Sequence, residues 1–122
     1  MNDTMKMLRE RSFSFAARIV KFVQSLEDNR KGWVLSRQLL KSGTSIGANI
    51  REARFAQSTA DYVSKLSIAL KEAEETAYWL ELMRATNTVA EDESAALANE
   101  VDWLIGTLVN TVKANKHKAD KP

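Results

Sequence analysis

Residues 62–83, YVSKLSIALKEAEETAYWLELM, carry the strongest structural signal in the chain. Apolar side chains recur there every three or four residues, which places them along one face of an α-helix. The predicted core-facing residues of this helix are Tyr62, Leu66, Ala69, Ala73, Leu80 and Met83, flanked by Val63, Leu70 and Ala77. Just before the pattern, Ser58 offers a side-chain oxygen that can cap the first turn. The stretch therefore predicts a long amphipathic helix.

Three other segments show the same spacing and predict three more helices. Their core-facing residues are Leu8, Phe15, Ile19, Phe22 and Leu26 in the first, Leu35, Leu39, Ile46, Ile50 and Ala53 in the second, and Leu97, Val101, Leu104, Leu108 and Val112 in the last. Short connections force consecutive helices to run antiparallel. One proline and four glycines in 122 residues leave little room for the turns of an all-β fold. The sequence predicts an all-α, up-down-up-down antiparallel four-helix bundle over residues 1–114, followed by a basic C-terminal tail at 115–122.

The composition argues against most kinds of enzyme. The chain has no cysteine, which excludes disulfides, thiolate nucleophiles and Cys-ligated zinc. Its one histidine, His117, lies in the predicted tail, so a Glu-x-x-His di-iron site in the bundle cannot be built. We therefore predict no catalytic, cofactor-binding or metal-binding residues and no enzymatic activity. No stretch is apolar enough to span a membrane and no signal peptide is recognisable, which predicts a cytoplasmic protein without membrane contact.

The net charge of +2 hides an uneven distribution. Residues 1–57 contain 11 Lys/Arg and 5 Asp/Glu, residues 58–112 contain 3 and 10, and residues 113–122 contain 4 and 1. The basic half of one copy could face the acidic half of another, and such a head-to-tail contact closes into a ring. Alternatively, the basic half binds the phosphates of RNA or DNA. The candidate nucleic-acid-binding residues are Arg11, Arg18, Lys21, Arg37, Lys41 and Arg51.

Several large apolar side chains fall outside the predicted core-facing residues. They are Ile68, Tyr78, Trp79 and Leu82 in the third helix and Trp103 in the fourth. Clustered apolar residues on a surface are typical of subunit contacts. We predict that these five form an oligomer interface. The alternative is that helix rotation hides them within the monomer.

The second helix contains an unusual set of small and polar residues. The structural motif comprises Ser42, Gly43, Ser45, Gly47 and Asn49. Glycine within a helix costs about 1 kcal/mol relative to alanine, so two glycines four residues apart indicate a close approach by another helix. The polar members of the motif, if buried, need hydrogen-bond partners. They form either a network between helices or part of a ligand surface.

The segments QLLKSGTSIGANIREA at 38–53, AQS at 56–58 and LSIALKEA at 66–73, with Thr76 and Trp79, resemble a known family. It is the family of bacterial four-helix bundle proteins related to the product encoded in 23S ribosomal RNA intervening sequences. Several members are similar to the accessory variability determinant of diversity-generating retroelements. The resemblance implies a cyclic homopentamer without known enzymatic activity. For the retroelement relative it also implies binding to nucleic acid and to a reverse transcriptase.

Residue pattern and resemblance together predict a non-enzymatic homo-oligomer that acts as a nucleic-acid-associated accessory protein, with RNA as the expected ligand. The acidic third and fourth helices depart from the strongly basic retroelement relative, which weakens the prediction of a reverse transcriptase partner. The alternative function is a structural scaffold or protein-interaction module with no nucleic-acid role. In that case the basic residues are used in contacts between subunits.

Overall fold

Four helices make up the part of the chain that this computed structural model describes, residues 2–28 and 33–119. They are α1 (Asp3–Asp28), α2 (Trp33–Ala53), α3 (Thr59–Ala85) and α4 (Glu91–Ala119). Each helix packs against two others, in the order α1, α2, α3, α4 and back to α1. The predicted four-helix bundle is confirmed.

Contacts between neighbouring helices show that they run antiparallel. Gly43 of α2 lies against Ile19 of α1, and Gly47, further along α2, lies against Ser12, earlier in α1. Between α1 and α4, Arg11 pairs with Glu100, and Lys21, further along α1, lies beside Glu93, earlier in α4. Later residues of one helix therefore contact earlier residues of its neighbour, which is the antiparallel arrangement that the short connections predict.

The core is formed by the residues that the helical spacing predicted to face it. Leu66, Ala69, Ala73, Leu80 and Met83 of α3 are all buried. So are the predicted residues of α1 and most of those of α2 and α4, while Tyr62, Leu35 and Val112 are half-buried.

The ends of α3 are determined by local hydrogen bonds. The predicted cap is confirmed, because Ser58 Oγ accepts a hydrogen bond from the backbone N–H of Asp61 at 3.0 Å. At the other end the chain turns through Asn87, whose φ of 54° is left-handed. Asparagine tolerates this conformation better than most residues, so the turn into α4 is made without glycine.

The last helix is longer than the sequence predicted. Residues 115–119, assigned to the basic C-terminal tail, continue α4 to Ala119, and residues 120–122 lie outside the described part of the chain. Asn115 Nδ2 donates to the carbonyl oxygen of Thr111 at 2.8 Å. Lys116 and Lys118 in the last turn interact favourably with the negative end of the helix dipole. The basic residues therefore support the helix rather than end it.

Candidate functional site

Arg11, predicted to bind phosphate, is held within the monomer. Its Nε and Nη2 donate to the two carboxylate oxygens of Glu100, each at 2.8 Å. The hydrogen bond from Arg11 lowers the pKa of Glu100, and the same bond raises the pKa of Arg11. Two nitrogens of the Arg11 guanidinium are therefore engaged in an internal bidentate ion pair, and nucleic-acid binding by Arg11 remains a prediction.

Trp103, predicted to lie in an oligomer interface, belongs to the same cluster. The guanidinium carbon of Arg11 lies 3.5 Å from the centroid of the Trp103 ring, within the range of a cation–π contact. The ring is half-buried and packs against the core. Trp103 is thus partly covered within its own chain, and its place in an oligomer interface remains a prediction.

The other basic candidates lie in two places. Arg18 and Lys21 of α1 line a depression with Glu93 of α4, and the charge of Arg18 contributes to the lowered pKa of Glu100. Arg37 and Lys41 are exposed on α2, one helical turn apart. Neither has an ion-pair partner in the described residues 2–28 and 33–119. In the same residues Arg18 and Lys21 also lack an ion pair, but they line a depression that contains Glu93.

Arg51, the sixth basic candidate, borders a groove that the sequence did not predict. Phe13 of α1 is 62% exposed and Phe55, just beyond α2, is 74% exposed. The Arg51 guanidinium carbon lies 5.7 Å from the centroid of the Phe13 ring. This Phe groove encloses about 430 Å³ and is lined by Arg9, Phe13, Ala16, Thr44, Gly47, Ala48, Arg51, Glu52 and Phe55.

The exterior of α3 carries the remaining predicted interface residues, which we call the α3 strip: Ile68, Tyr78, Trp79 and Leu82. Ile68 is 39% and Tyr78 is 56% exposed, while the other two are half-buried. The Tyr78 and Trp79 rings meet edge to face with centroids 5.1 Å apart. Trp79 Nε1 donates to Glu75 at 3.3 Å. The strip thus contains one aromatic pair in edge-to-face contact, and it exposes apolar surface at Ile68 and Tyr78.

The glycines of the α2 motif allow α1 to approach closely. A Cβ at Gly43 would lie 3.0 Å from two carbons of Ile19, and a Cβ at Gly47 would lie 3.3 Å from the backbone oxygen of Ser12. At these distances an added Cβ requires the Ile19 side chain or the Ser12 backbone to shift by a few tenths of an ångström. Close helix packing accounts for both glycines.

The polar residues of the same motif have different partners. Buried Ser42 accepts a hydrogen bond from Thr76 Oγ1 of α3 at 2.9 Å. Ser45 donates to the carbonyl of Lys41 and Asn49 donates to the carbonyl of Ser45, both within α2. Of these three motif residues, Ser42 alone links two helices through a side-chain hydrogen bond in the described part of the chain.

Side chains suited to catalysis are dispersed over the bundle. His117 is exposed near the end of α4. Within residues 2–28 and 33–119, no three His, Cys, Asp or Glu side chains are grouped so as to hold a metal ion. None of the helices described is both long and apolar enough to cross a membrane.

The chain is similar to a known protein family and to a solved structure. Residues 6–110 match the family model described as 23S rRNA-intervening sequence protein. The chain is also similar to a protein of unknown function from the S23 ribosomal protein family of Bacteroides thetaiotaomicron, whose crystal structure was determined at 1.70 Å. The two are 44% identical with a TM-score of 0.86, over 90% of this chain and 98% of that chain. No curated protein matches.

Proposed function

The chain belongs to the 23S rRNA-intervening sequence protein family, and from that membership we propose that it is a non-enzymatic, homo-oligomeric accessory protein that binds RNA. Arg37 and Lys41 on α2 carry the nucleic-acid part of the proposal. They are exposed, share one side of the helix and have no carboxylate partner in the described chain. Cations in this state are available to replace the counterions of a phosphate backbone.

The oligomeric part of the proposal rests on the apolar surface. Phe13, Phe55 and Tyr78 are each more than half exposed. Burial of an aromatic side chain removes about 150–250 Å² from water. Exposure of several such rings in one small bundle favours association between copies, and a cyclic pentamer is the state that the family resemblance implies.

The proposal that the chain binds RNA is tested with variants that remove two charges. Arg37→Gln/Lys41→Gln removes the α2 cations, and Lys71→Gln/Lys113→Gln removes two exposed cations elsewhere, so both double variants have the same net charge. Affinity for a structured RNA and for a single strand of equal length is measured by fluorescence anisotropy at several salt concentrations. Loss of two phosphate contacts should weaken binding and reduce the slope of log K against log salt by about 1.5.

The control variant should bind with nearly the same slope as the parent protein, because its cations lie on α3 and α4 and not on α2. Equal loss in both variants would mean that only net charge matters. Absence of binding to either RNA at low salt would remove the nucleic-acid role. The second candidate function, a protein-interaction scaffold, would then stand, and the observation that favours it is the exposed Phe groove.

A further inference from the structure

We infer that the Phe groove of one copy receives the α3 strip of a second copy, with Tyr78 entering between Phe13 and Phe55. This inference rests on the homo-oligomeric part of the proposed function and specifies the surfaces that would meet. The sequence predicted only one of these surfaces, the strip. Its complement, the groove, is formed when α1 and α2 pack and is not visible in either helix alone.

The shape of the groove suits a helix that presents an aromatic side chain. Small residues from both helices, Ala16, Gly47 and Ala48, leave space between the two exposed phenylalanine rings. Grooves of this kind bind amphipathic helices through a few apolar anchor residues. The enclosed 430 Å³ is enough to accept an aromatic side chain. Tyr78 projects from α3 with more than half of its surface exposed.

The charges around the two surfaces are complementary. Arg9 and Arg51 line the groove, and the Arg54 guanidinium carbon lies 5.6 Å from the centroid of the Phe55 ring. Glu52 also lines the groove, but Lys65 pairs with it at 3.4 Å.

On α3, glutamates surround Tyr78 at neighbouring helical positions. Glu74 and Glu75 precede it by four and three residues, and Glu81 follows it by three. In the described residues 2–28 and 33–119, Glu74 and Glu81 have no ion-pair partner. Insertion of the strip would bring these carboxylates to the arginines of the groove, which fixes orientation and disfavours contact between like surfaces.

A protein helix fits the groove better than a nucleic-acid strand does. The surface beside Phe13 and Arg51 includes the carboxylate of Glu10, and Glu52 lies within the groove itself. A phosphate backbone following the arginines would pass both carboxylates. A mixture of aromatic residues, arginines and a few carboxylates is typical of a protein interface.

The inference predicts a head-to-tail assembly. Groove and strip are different surfaces, so each copy offers one of each to two different neighbours. Such contacts are heterologous and produce a ring if the rotation closes. This geometry leads to a direct test with two complementary defects.

Phe55→Asp places a charge in the Phe groove and leaves the α3 strip intact. Tyr78→Asp places a charge in the α3 strip and leaves the Phe groove intact. Each variant alone should sediment as a single 13.7 kDa chain. An equimolar mixture should form a dimer of twice that mass, because one intact groove and one intact strip remain. Met7→Asp is the matched control: Met7 is 45% exposed but belongs to neither surface, and its variant should assemble like the parent.

The possible results distinguish a failure of the groove-to-strip pairing from a failure of the proposed function. A monomeric parent protein would overturn the homo-oligomer itself. An oligomeric parent whose two variants dissociate but do not dimerise on mixing would overturn only the groove-to-strip pairing. A Phe55→Asp protein that stays assembled but loses RNA binding would assign the groove to nucleic acid. Circular dichroism checks that each variant is folded, and Arg51→Glu replaces Phe55→Asp in the mixture if the latter does not fold.

Discussion

Alanine substitution at two glycines tests how closely α1 and α2 pack. Gly43 faces Ile19, and a Cβ there would lie 3.0 Å from both γ carbons of that side chain. Gly106 in α4 is the matched control, because a Cβ there would meet nothing within 4 Å. Both glycines lie inside helices, so the same gain in helix propensity applies to Gly43→Ala and Gly106→Ala.

The expected magnitudes follow from these distances. Replacing glycine by alanine in a helix interior favours folding by up to about 1 kcal/mol, which is the full effect expected at Gly106. At Gly43 the added methyl group meets a fully buried side chain near its branch point, which cannot move aside without disturbing the core. Overpacking of this kind costs about 1–3 kcal/mol. Gly43→Ala should therefore be less stable than Gly106→Ala by about 1–3 kcal/mol.

Urea denaturation followed by circular dichroism measures the difference. All proteins are compared at one concentration, because association stabilises the folded state by mass action. For a chain of this length, 1 kcal/mol corresponds to about 4 °C in melting temperature. In an Ile19→Ala background, where both γ carbons are absent, Gly43→Ala should become neutral or stabilising. Equal stabilisation by Gly43→Ala and Gly106→Ala in the parent protein would refute the close packing.

Other contacts give further predictions. Thr76→Val removes the donor to buried Ser42 and should lower the free energy of unfolding in urea by about 1 kcal/mol, while Thr76→Ser should retain most of it. Ser58→Ala should cost about 1 kcal/mol and increase amide hydrogen exchange in the first turn of α3; unchanged exchange would contradict the cap. Glu100 has a lowered pKa in the folded state because Arg11 donates a hydrogen bond to it. The ion pair therefore stabilises the protein fully above the pKa of Glu in the unfolded chain, about 4.3. This stabilisation is lost as the pH falls through the lower pKa of Glu100 in the folded protein. The stability advantage of the parent over Glu100→Gln, measured in urea between pH 3 and 7, should therefore be constant above about pH 5 and shrink in more acidic solution; an advantage independent of pH would contradict the ion pair.

The helices and their buried faces could be predicted because helical periodicity is a local property. Leu66 and Leu80 are fourteen residues apart, close to four full turns, so they face the same core whatever packs against them. The capping residue Ser58 is local in the same sense, since its partner is three residues away. The end of α4 was harder to predict, because lysine-rich ends read equally well as a tail or as a last helical turn.

Partners between helices could not be predicted in the same way. Arg11 and Glu100 are 89 positions apart, and nothing in the sequence states which acidic residue of the second half lies opposite Arg11. The groove was missed for a related reason. Phe13 belongs to no core-facing pattern and Phe55 follows the last residue of α2, so each reads as an isolated surface residue. Only the packing of α1 on α2 brings them together.

The charge distribution presented assembly and RNA binding as alternatives, but the basic residues proposed for the two roles are different. The charge of Arg11 is engaged by Glu100, and Arg51 lies in the Phe groove. Arg37 is fourteen residues before Arg51 on the same helix, about 21 Å along its axis. A Tyr78 side chain inserted beside Arg51 would therefore not itself reach Arg37. It follows that loss of RNA binding and loss of assembly should be separable by mutation, because the proposed groove and the proposed phosphate contacts share no side chain.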